Sequence, residues 1–442
     1  IQKEEIQMRN LKRTLSLVMA MALIVGMMVV SASAASYNNL TDKDEIVNKD
    51  AVSMLVSLGI IEGKPDGSYA PTENVDRAQM AKMLSVIMNK GVDNSALYQS
   101  VNSGLVDVNT NWAKGHINYC YTTGIIAGRG NGKFDPSATV TALEAAKMLL
   151  VAVGYDPKIE GFEGADWAIN VSVRADEQGI FEGFTKDLSA PLNRDDAALL
   201  IYNALDVEMI QSYTTNNYPI AYSDHRTILA DKYGVIKVQG VVVANEWASL
   251  ASDDGDAALK EGKTTIYNGE GIFSTTGNTT VSKEDASLKT QTFNVSTPVD
   301  MLGKTVNLYI KKTTILADST VYGDPVVSDV NTVVTTGETV LYSGAKDPQV
   351  DYDKLLGENG LTDKDAKYFW NYNSGKYIPN TTEKYGDKTA NVKGATLTII
   401  DNNGDGEVDY VLSVEKALAD ITSVNSKKET VTVRTLGTLD NK

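Results

Sequence analysis

Asp401, Asn403 and Asp405 alternate along the run Asp401–Tyr410, with Gly406 directly after them. That spacing puts side-chain oxygens at positions 1, 3 and 5 of a calcium loop, and the glycine supplies the tight turn at position 6. Glu407 offers its backbone carbonyl at position 7, and Asp409 stands at position 9. Position 12 is Leu412, so the bidentate Glu of an EF-hand is absent. The flanks Thr396–Ile400 and Tyr410–Val414 alternate as strands do. The expectation is a hairpin loop holding a structural Ca2+ through Asp401, Asn403, Asp405, Glu407 and Asp409, a polar turn without metal being the other reading.

Nothing else marks a reactive centre. There are two histidines and one cysteine. His116 reads as a solvated helical histidine, His225 belongs to no nucleophile motif, and Cys120 reads as a small buried apolar residue. No G-x-S-x-G, H-E-x-x-H or phosphate-binding loop occurs, and no carboxylate pair stands out as a glycosidase pair. The expectation is a protein that binds rather than one that catalyses.

The N-terminal half is organised by a repeat. Gly59–Leu84 and Gly124–Leu149 align without a gap on Gly-Ile-Ile-x-Gly-x-x-x-Gly, with Pro71 and Pro136 at the same distance and Ala-Lys-Met-Leu closing both. A shorter copy, Gly179–Leu200, keeps Gly179, Ile180 and Gly183 and loses three residues before Arg194. Trp112-Ala113 and Trp167-Ala168 stand twelve residues before Gly124 and Gly179. A repeat of this kind is one supersecondary unit that needs its neighbours to complete a core. Each copy reads as helix, loop, helix. In the second, Trp112, Ile117, Tyr119, Cys120 and Ile125 are the apolar positions of a first helix, and Gly124 supplies the left-handed residue after its last turn. Thr141 with Glu144 forms a capping box for the second helix, as do Asp76 with Gln79 and Asn193 with Asp196.

These residues resemble the S-layer homology (SLH) module. Its outline is an Asp near the start, Trp-Ala, Gly-Ile-Ile-x-Gly, Asp-Gly-x-Phe-x-Pro and Thr-Arg-Ala-Glu. Asp107, Trp112-Ala113, Gly124–Gly128 and Gly132–Pro136 follow it, as do Asp66–Pro71 and Val75–Gln79 in the first copy. The resemblance covers roughly residues 38–210, less than half the chain. It implies three modules packed as an α-helical pseudo-threefold bundle: residues 36–91, 104–154 and a degraded third at 161–210. It also implies binding of secondary cell-wall polysaccharide, often pyruvylated, in grooves between modules. By position the binding residues are Arg77, Arg194, Trp112, Trp167, Gly63 and Gly128, while the second copy has Ala142 at the arginine position. A guanidinium fork suits a sugar carboxylate. If the arginines serve only the ligand, Arg77→Ala leaves the melting temperature unchanged and Ala142→Arg adds affinity.

The N-terminus carries a secretory pattern over residues 8–34, after a short extension before Met8. Met8–Thr14 is basic, Leu15–Val30 is apolar, and Ala32-Ser33-Ala34 fits a cleavage site. No other apolar run approaches the ~20 residues that cross a bilayer. The net charge of -16 argues against general nucleic-acid binding, which needs clustered positive charge.

From about Gln211 helical periodicity gives way to short β-branched runs. Val235–Ala244, Thr305–Lys311, Asn331–Thr335, Thr339–Tyr342 and Glu429–Thr435 read as strands. Asp347–Lys388 reads as an insertion or small cap. The expected architecture is thus multidomain, an SLH bundle followed by a β-rich region 211–442 of one or two small domains. The function that follows is non-covalent anchoring of an exported surface protein to the wall of a Gram-positive-type bacterium, as an S-layer component self-associating in an array. A wall-anchored polysaccharide hydrolase or an adhesin is the alternative.

Overall fold

The computed structural model describes residues 37–250, 258–269, 271–272, 274–276, 289–311, 319–335, 352–373, 376–379, 396–414, 417–426 and 430–438. The leader expected at 8–34 and the strand expected at Thr339–Tyr342 lie outside them. The chain divides into two compact units: Ile1–Ala152 with Asp156–Ala204, and Val153–Tyr155 with Leu205–Lys442.

The first unit holds three helix pairs: α1 (Lys49–Ser57) with α2 (Arg77–Met88), α3 (Lys114–Thr122) with α4 (Ala142–Val153), and α5 (Trp167–Glu177) with α6 (Arg194–Leu205). The leading helices stop in the same way. After α3, Gly124 takes a φ of 80°. Gly124 N–H donates to Tyr121 O at 3.1 Å and Ile125 N–H donates to Cys120 O at 2.9 Å. Gly59 with Ile60, and Gly179 with Ile180, repeat the pair of bonds. This is a Schellman closure, which the Gly-Ile signature encodes through a residue free to adopt positive φ.

The second helices start as their caps predict. Asp76 and Gln79 complete a reciprocal box at 2.7 and 3.0 Å. Thr141 and Glu144 do so at 3.2 and 3.3 Å. Asn193 Oδ1 accepts from Asp196 N–H at 2.7 Å, but the Asp196 carboxylate is engaged by Lys186 Nζ at 2.5 Å.

The residues just before these helices meet in a ring. Val75 N–H donates to Leu192 O at 2.8 Å, Leu192 N–H to Val140 O at 2.8 Å, and Val140 N–H to Val75 O at 2.9 Å. All three side chains are buried. Each copy therefore satisfies the backbone of the next, which is why one copy cannot complete a core alone. The aspartates near the start of the first two copies fasten the intervening loops. Asp42 accepts from Tyr69 and Ala70 N–H, both at 2.7 Å. Asp107 accepts from Phe134 and Asp135 N–H at 2.9 and 2.8 Å. Ala70 and Asp135 both sit at a φ of 56°. That is a costly conformation for residues other than glycine, and the carboxylate bonds hold it.

His116 corrects the sequence reading. It is buried, with Nδ1 2.5 Å from Ser85 Oγ on α2 and Nε2 3.6 Å from Asp93 Oδ2. Helical position alone does not tell which face a neighbouring copy covers. Burial holds its pKa below the ordinary value, with Lys82 acting in the same sense and Asp93 opposing. The unfolded chain therefore takes the proton first as pH falls, and stability is lost from about pH 6.5 downward. Thermal unfolding followed from pH 7.5 to 5.5 should show a falling midpoint, and His116→Gln should flatten the part of the slope this residue contributes. Cys120 is buried as expected, its thiol pushed well above the usual range by burial.

The second unit is mainly β. Two short hairpin strands, β1 (Ile210–Tyr213) and β2 (Pro219–Ala221), come first. A sheet of order β6-β4-β3-β7-β8 then forms from β3 (Val235–Asn245), β4 (Thr264–Tyr267), β6 (Thr290–Phe293), β7 (Thr305–Lys311) and β8 (Thr320–Val327), with β5 (Ser274–Thr276) also paired to β3. A second sheet runs β11-β10-β13-β12-β9, from β9 (Thr332–Thr335), β10 (Lys367–Asn373), β11 (Lys376–Pro379), β12 (Thr396–Asp401) and β13 (Tyr410–Val414). Alternation along β12 and β13 serves two cores. Ile400, Tyr410 and Leu412 join Val238, Ile266, Val306 and Leu308 of the first sheet. Leu397, Ile399 and Val411 face the other way, onto Leu356 of the short helix α7 (Tyr352–Glu358) and Tyr368. Phe369 of β10 also lies in the larger core, so β10 and β11 of the segment expected as an insertion or small cap belong to the sheet, while its helix α7 packs on the smaller core. The expected strand at Glu429–Thr435 is β15 (Thr430–Thr438), paired with β14 (Ala417–Asn425). Among the described residues no helix is long and apolar enough to cross a membrane.

Candidate binding grooves

The residue positions that open α2 and α6 carry Arg77 and Arg194, and both side chains reach into a different copy. Arg77 is 5 % exposed. Its Nε donates to Phe134 O at 2.8 Å and its Nη2 to Ala127 O at 2.9 Å, while the guanidinium lies 4.3 Å from the Phe134 ring centroid. Arg194 repeats the arrangement on the first copy: Nε to Tyr69 O at 2.8 Å, Nη2 to Glu62 O at 3.3 Å, 4.8 Å from the Tyr69 ring. Burial, with Arg129 nearby, pushes the Arg77 pKa down to about 10, so it remains a cation at neutral pH. The expectation that Arg77 is dispensable to the fold is therefore corrected. A charge this deep persists because carbonyl oxygens and an aromatic face compensate it.

Each arginine forms the wall of a groove. The first groove combines Gly63, Lys64, Gln79 and Lys82 of the first copy with Arg194 and Trp112. The second combines Gly128, Arg129, Glu144 and Lys147 of the second copy with Arg77 and Trp167. The six residues singled out by resemblance thus fall into two equivalent sets, Arg194 with Trp112 and Gly63, and Arg77 with Trp167 and Gly128. Close approach of the backbone requires glycine at 128, whereas at Gly63 a flexible side chain would have to give by a few tenths of an ångström. A Cβ on Gly128 would come within 2.9 Å of Lys133 O, and one on Gly63 within 3.2 Å of the Leu40 side chain.

Trp112 corrects the helical reading. Trp112 precedes α3 and is 58 % exposed, with its ring 6.4 Å from that of His116. Trp167 opens α5, half-buried, with Lys147 Nζ 5.6 Å from its ring centroid. Sequence reasoning missed the cations Lys64, Lys82, Arg129 and Lys147. The signal was present: these positions are basic in both gapless copies, although nothing in a helical pattern says that they face one cleft. Their electrostatics differ. Lys82 pairs with Glu62 at 3.2 Å and Lys64 with Glu73, whereas Arg129 Nη2 is held by Glu144 Oε1 at 2.8 Å. Lys147 Nζ donates to Phe162 O at 2.5 Å, and burial lowers its pKa.

The third copy lacks these features. Phe184 and Leu199 stand where the other copies have Lys64 or Arg129 and Lys82 or Lys147. Ala142 is fully buried. The Glu182 carbonyl, equivalent to those of Glu62 and Ala127, accepts from Asn203 Nδ2 at 2.9 Å, so α6 supplies the donor an arginine would have given.

The 401–410 loop closes the β12–β13 hairpin, as the alternation predicted. Asp401 is buried and accepts from Asn403, Gly404 and Gly406 N–H at 3.1, 2.7 and 3.0 Å. Asp409 Oδ2 accepts from Asn402 N–H at 2.8 Å, and burial raises its pKa, with Asp401 and Asp405 adding to the effect. Asn403 and Asp405 each accept from the amide two residues on, and Glu407 pairs with Lys364. Among the described residues no group of three or more His, Cys, Asp or Glu side chains is gathered to hold a metal ion.

Comparison with known proteins agrees with the repeat. Residues 39–81 and 106–146 match the S-layer homology domain. A cell surface protein of Thermoanaerobacter kivui is 28% identical over 270 residues, 61% of this chain and 32% of its own length. An S-layer protein of Bacillus licheniformis is 31% identical over 151 residues, 34% of this chain and 16% of its own. An exoglucanase of Acetivibrio thermocellus is 27% identical over 192 residues, 40% of this chain and 17% of its own. The chain therefore spans a third or less of the length of these relatives. Residues 39–81 and 106–146 are thus S-layer homology modules. The chain's place is the cell wall or surface layer of a Gram-positive-type bacterium.

Proposed function

We propose that the three helix pairs form one SLH bundle that anchors the chain non-covalently to an anionic, pyruvylated secondary cell-wall polysaccharide. The observation that carries this reading is the duplicated groove, in which a loop of one copy, an arginine of a second and a tryptophan at the start of the next come together twice. Cations line both grooves although the chain as a whole carries -16. An exposed indole beside guanidinium and ammonium groups offers a stacking face and carboxylate partners to an acidic sugar. The β-rich unit would then be displayed at the surface as part of a self-associating S-layer. Stripping wall sacculi of their secondary polymer with acid should abolish binding of the chain.

A wall-anchored enzyme is the second reading, favoured by the similarity to an exoglucanase. Release of reducing sugar from wall polysaccharide by the purified chain would support it; no release leaves the structural reading.

The reading also gives the 401–410 loop a structural calcium ion. Its donors are all oxygen and no basic residue lies among them, which suits a hard cation. Millimolar calcium should raise the melting temperature of the chain, and Asp405→Ala should remove most of that rise. Identical melting curves with calcium and with chelator would leave a plain turn.

A further inference from the structure

We propose that the two grooves are unequal, the first being the high-affinity site for a carboxylate-bearing sugar and the second a weaker site held in check by Glu144; this rests on the anchoring reading above. The difference lies at the third residue of the second helix. That residue must complete a capping box, and either an amide or a carboxylate can do so. The first copy uses Gln79, whose Oε1 accepts from Asp76 N–H at 3.0 Å, which leaves the Nε2 end as a neutral donor. The second copy uses Glu144, whose Oε2 accepts from Thr141 N–H while Oε1 holds Arg129 at 2.8 Å.

Both residues line their grooves. A ligand carboxylate entering the second groove meets a fixed negative charge and must compete with it for Arg129. Glu144 is only 17 % exposed, so water screens it poorly. Glu163 lines the same groove and Glu62 lines the first, both exposed, so Glu144 is the carboxylate that the first groove does not match. In the first groove Lys64 pairs with Glu73, a 53 % exposed residue outside the lining, and a surface pair of that kind yields easily. Like charge placed against a ligand charge is strongly unfavourable in a partly desolvated site.

Each groove carries its own reporter, Trp112 in the first and Trp167 in the second. The test titrates the full chain with a hexosamine monosaccharide bearing a 4,6-pyruvyl ketal and follows the indole N–H resonances, assigned from single Trp→Phe variants. The Trp112 signal should saturate at about tenfold lower sugar concentration than the Trp167 signal. Glu144→Gln should bring Trp167 to near the same concentration, and Gln79→Glu should weaken the Trp112 response about tenfold. Both variants keep a working capping box, since each residue type already completes one in this chain. The methyl ester of the sugar should lose the difference between grooves. Equal saturation of the two signals, or no effect of Glu144→Gln on Trp167, overturns the inference while leaving the anchoring reading intact. No response at either indole overturns both.

Discussion

Arg77→Ala should lower the stability of the N-terminal unit by about 3 kcal/mol, a fall of roughly 10 °C in its melting temperature. The substitution strips hydrogen bonds from Phe134 O and Ala127 O and removes the cation from the Phe134 face. A buried charge is expensive to bring in, but removing it leaves carbonyls behind that have already lost their water. Arg194→Ala should act in the same direction by less, because its Nη2 bond is longer at 3.3 Å and exposed. Wall-polymer binding should weaken in both variants, since each guanidinium lines a groove. Scanning calorimetry of the variants checks the first point. An unchanged melting profile for Arg77→Ala would mean that the arginine does not staple the first copy to the second.

Ala142→Arg should be at least as damaging, by about 3–5 kcal/mol, and should not add affinity. Ala142 is fully buried, and the carbonyl that an arginine would seek on the third copy already accepts from Asn203. The new cation would enter a filled space without its partners. Denaturant unfolding of Ala142→Arg measures the loss. The double variant Ala142→Arg/Asn203→Ala should recover part of it by freeing the Glu182 carbonyl. Wild-type stability of the single variant would show that the third junction is open enough to take an arginine.

Much of the first unit was legible because its signals are local. Gly-Ile-Ile fixes where each leading helix stops, and the caps at Asp76, Thr141 and Asn193 fix where the second helices start. The hairpin around Asp401–Tyr410 was equally plain, since period-2 alternation flanks a turn sequence. What the sequence hid is what depends on a neighbouring copy. Arg77 and His116 both sit on helices where a polar residue normally faces water, and only the packing of another copy buries them. Trp112 fitted an apolar helical stripe but stands before the helix and faces out. Asp347–Lys388 looked like an insertion because its apolar residues are sparse, yet Phe369 ties β10 into the larger core. The six groove residues inherited from the family motif do gather into two clefts, while the four cations beside them had to be found by position in the fold.

The most direct test of anchoring is co-sedimentation of the full chain with wall sacculi in three forms: intact, selectively stripped of pyruvyl ketals, and extracted of all secondary polymer. Retention is expected on the intact sacculi only, with the free pyruvylated sugar displacing the bound chain. Equal retention on the fully extracted sacculi would contradict this expectation.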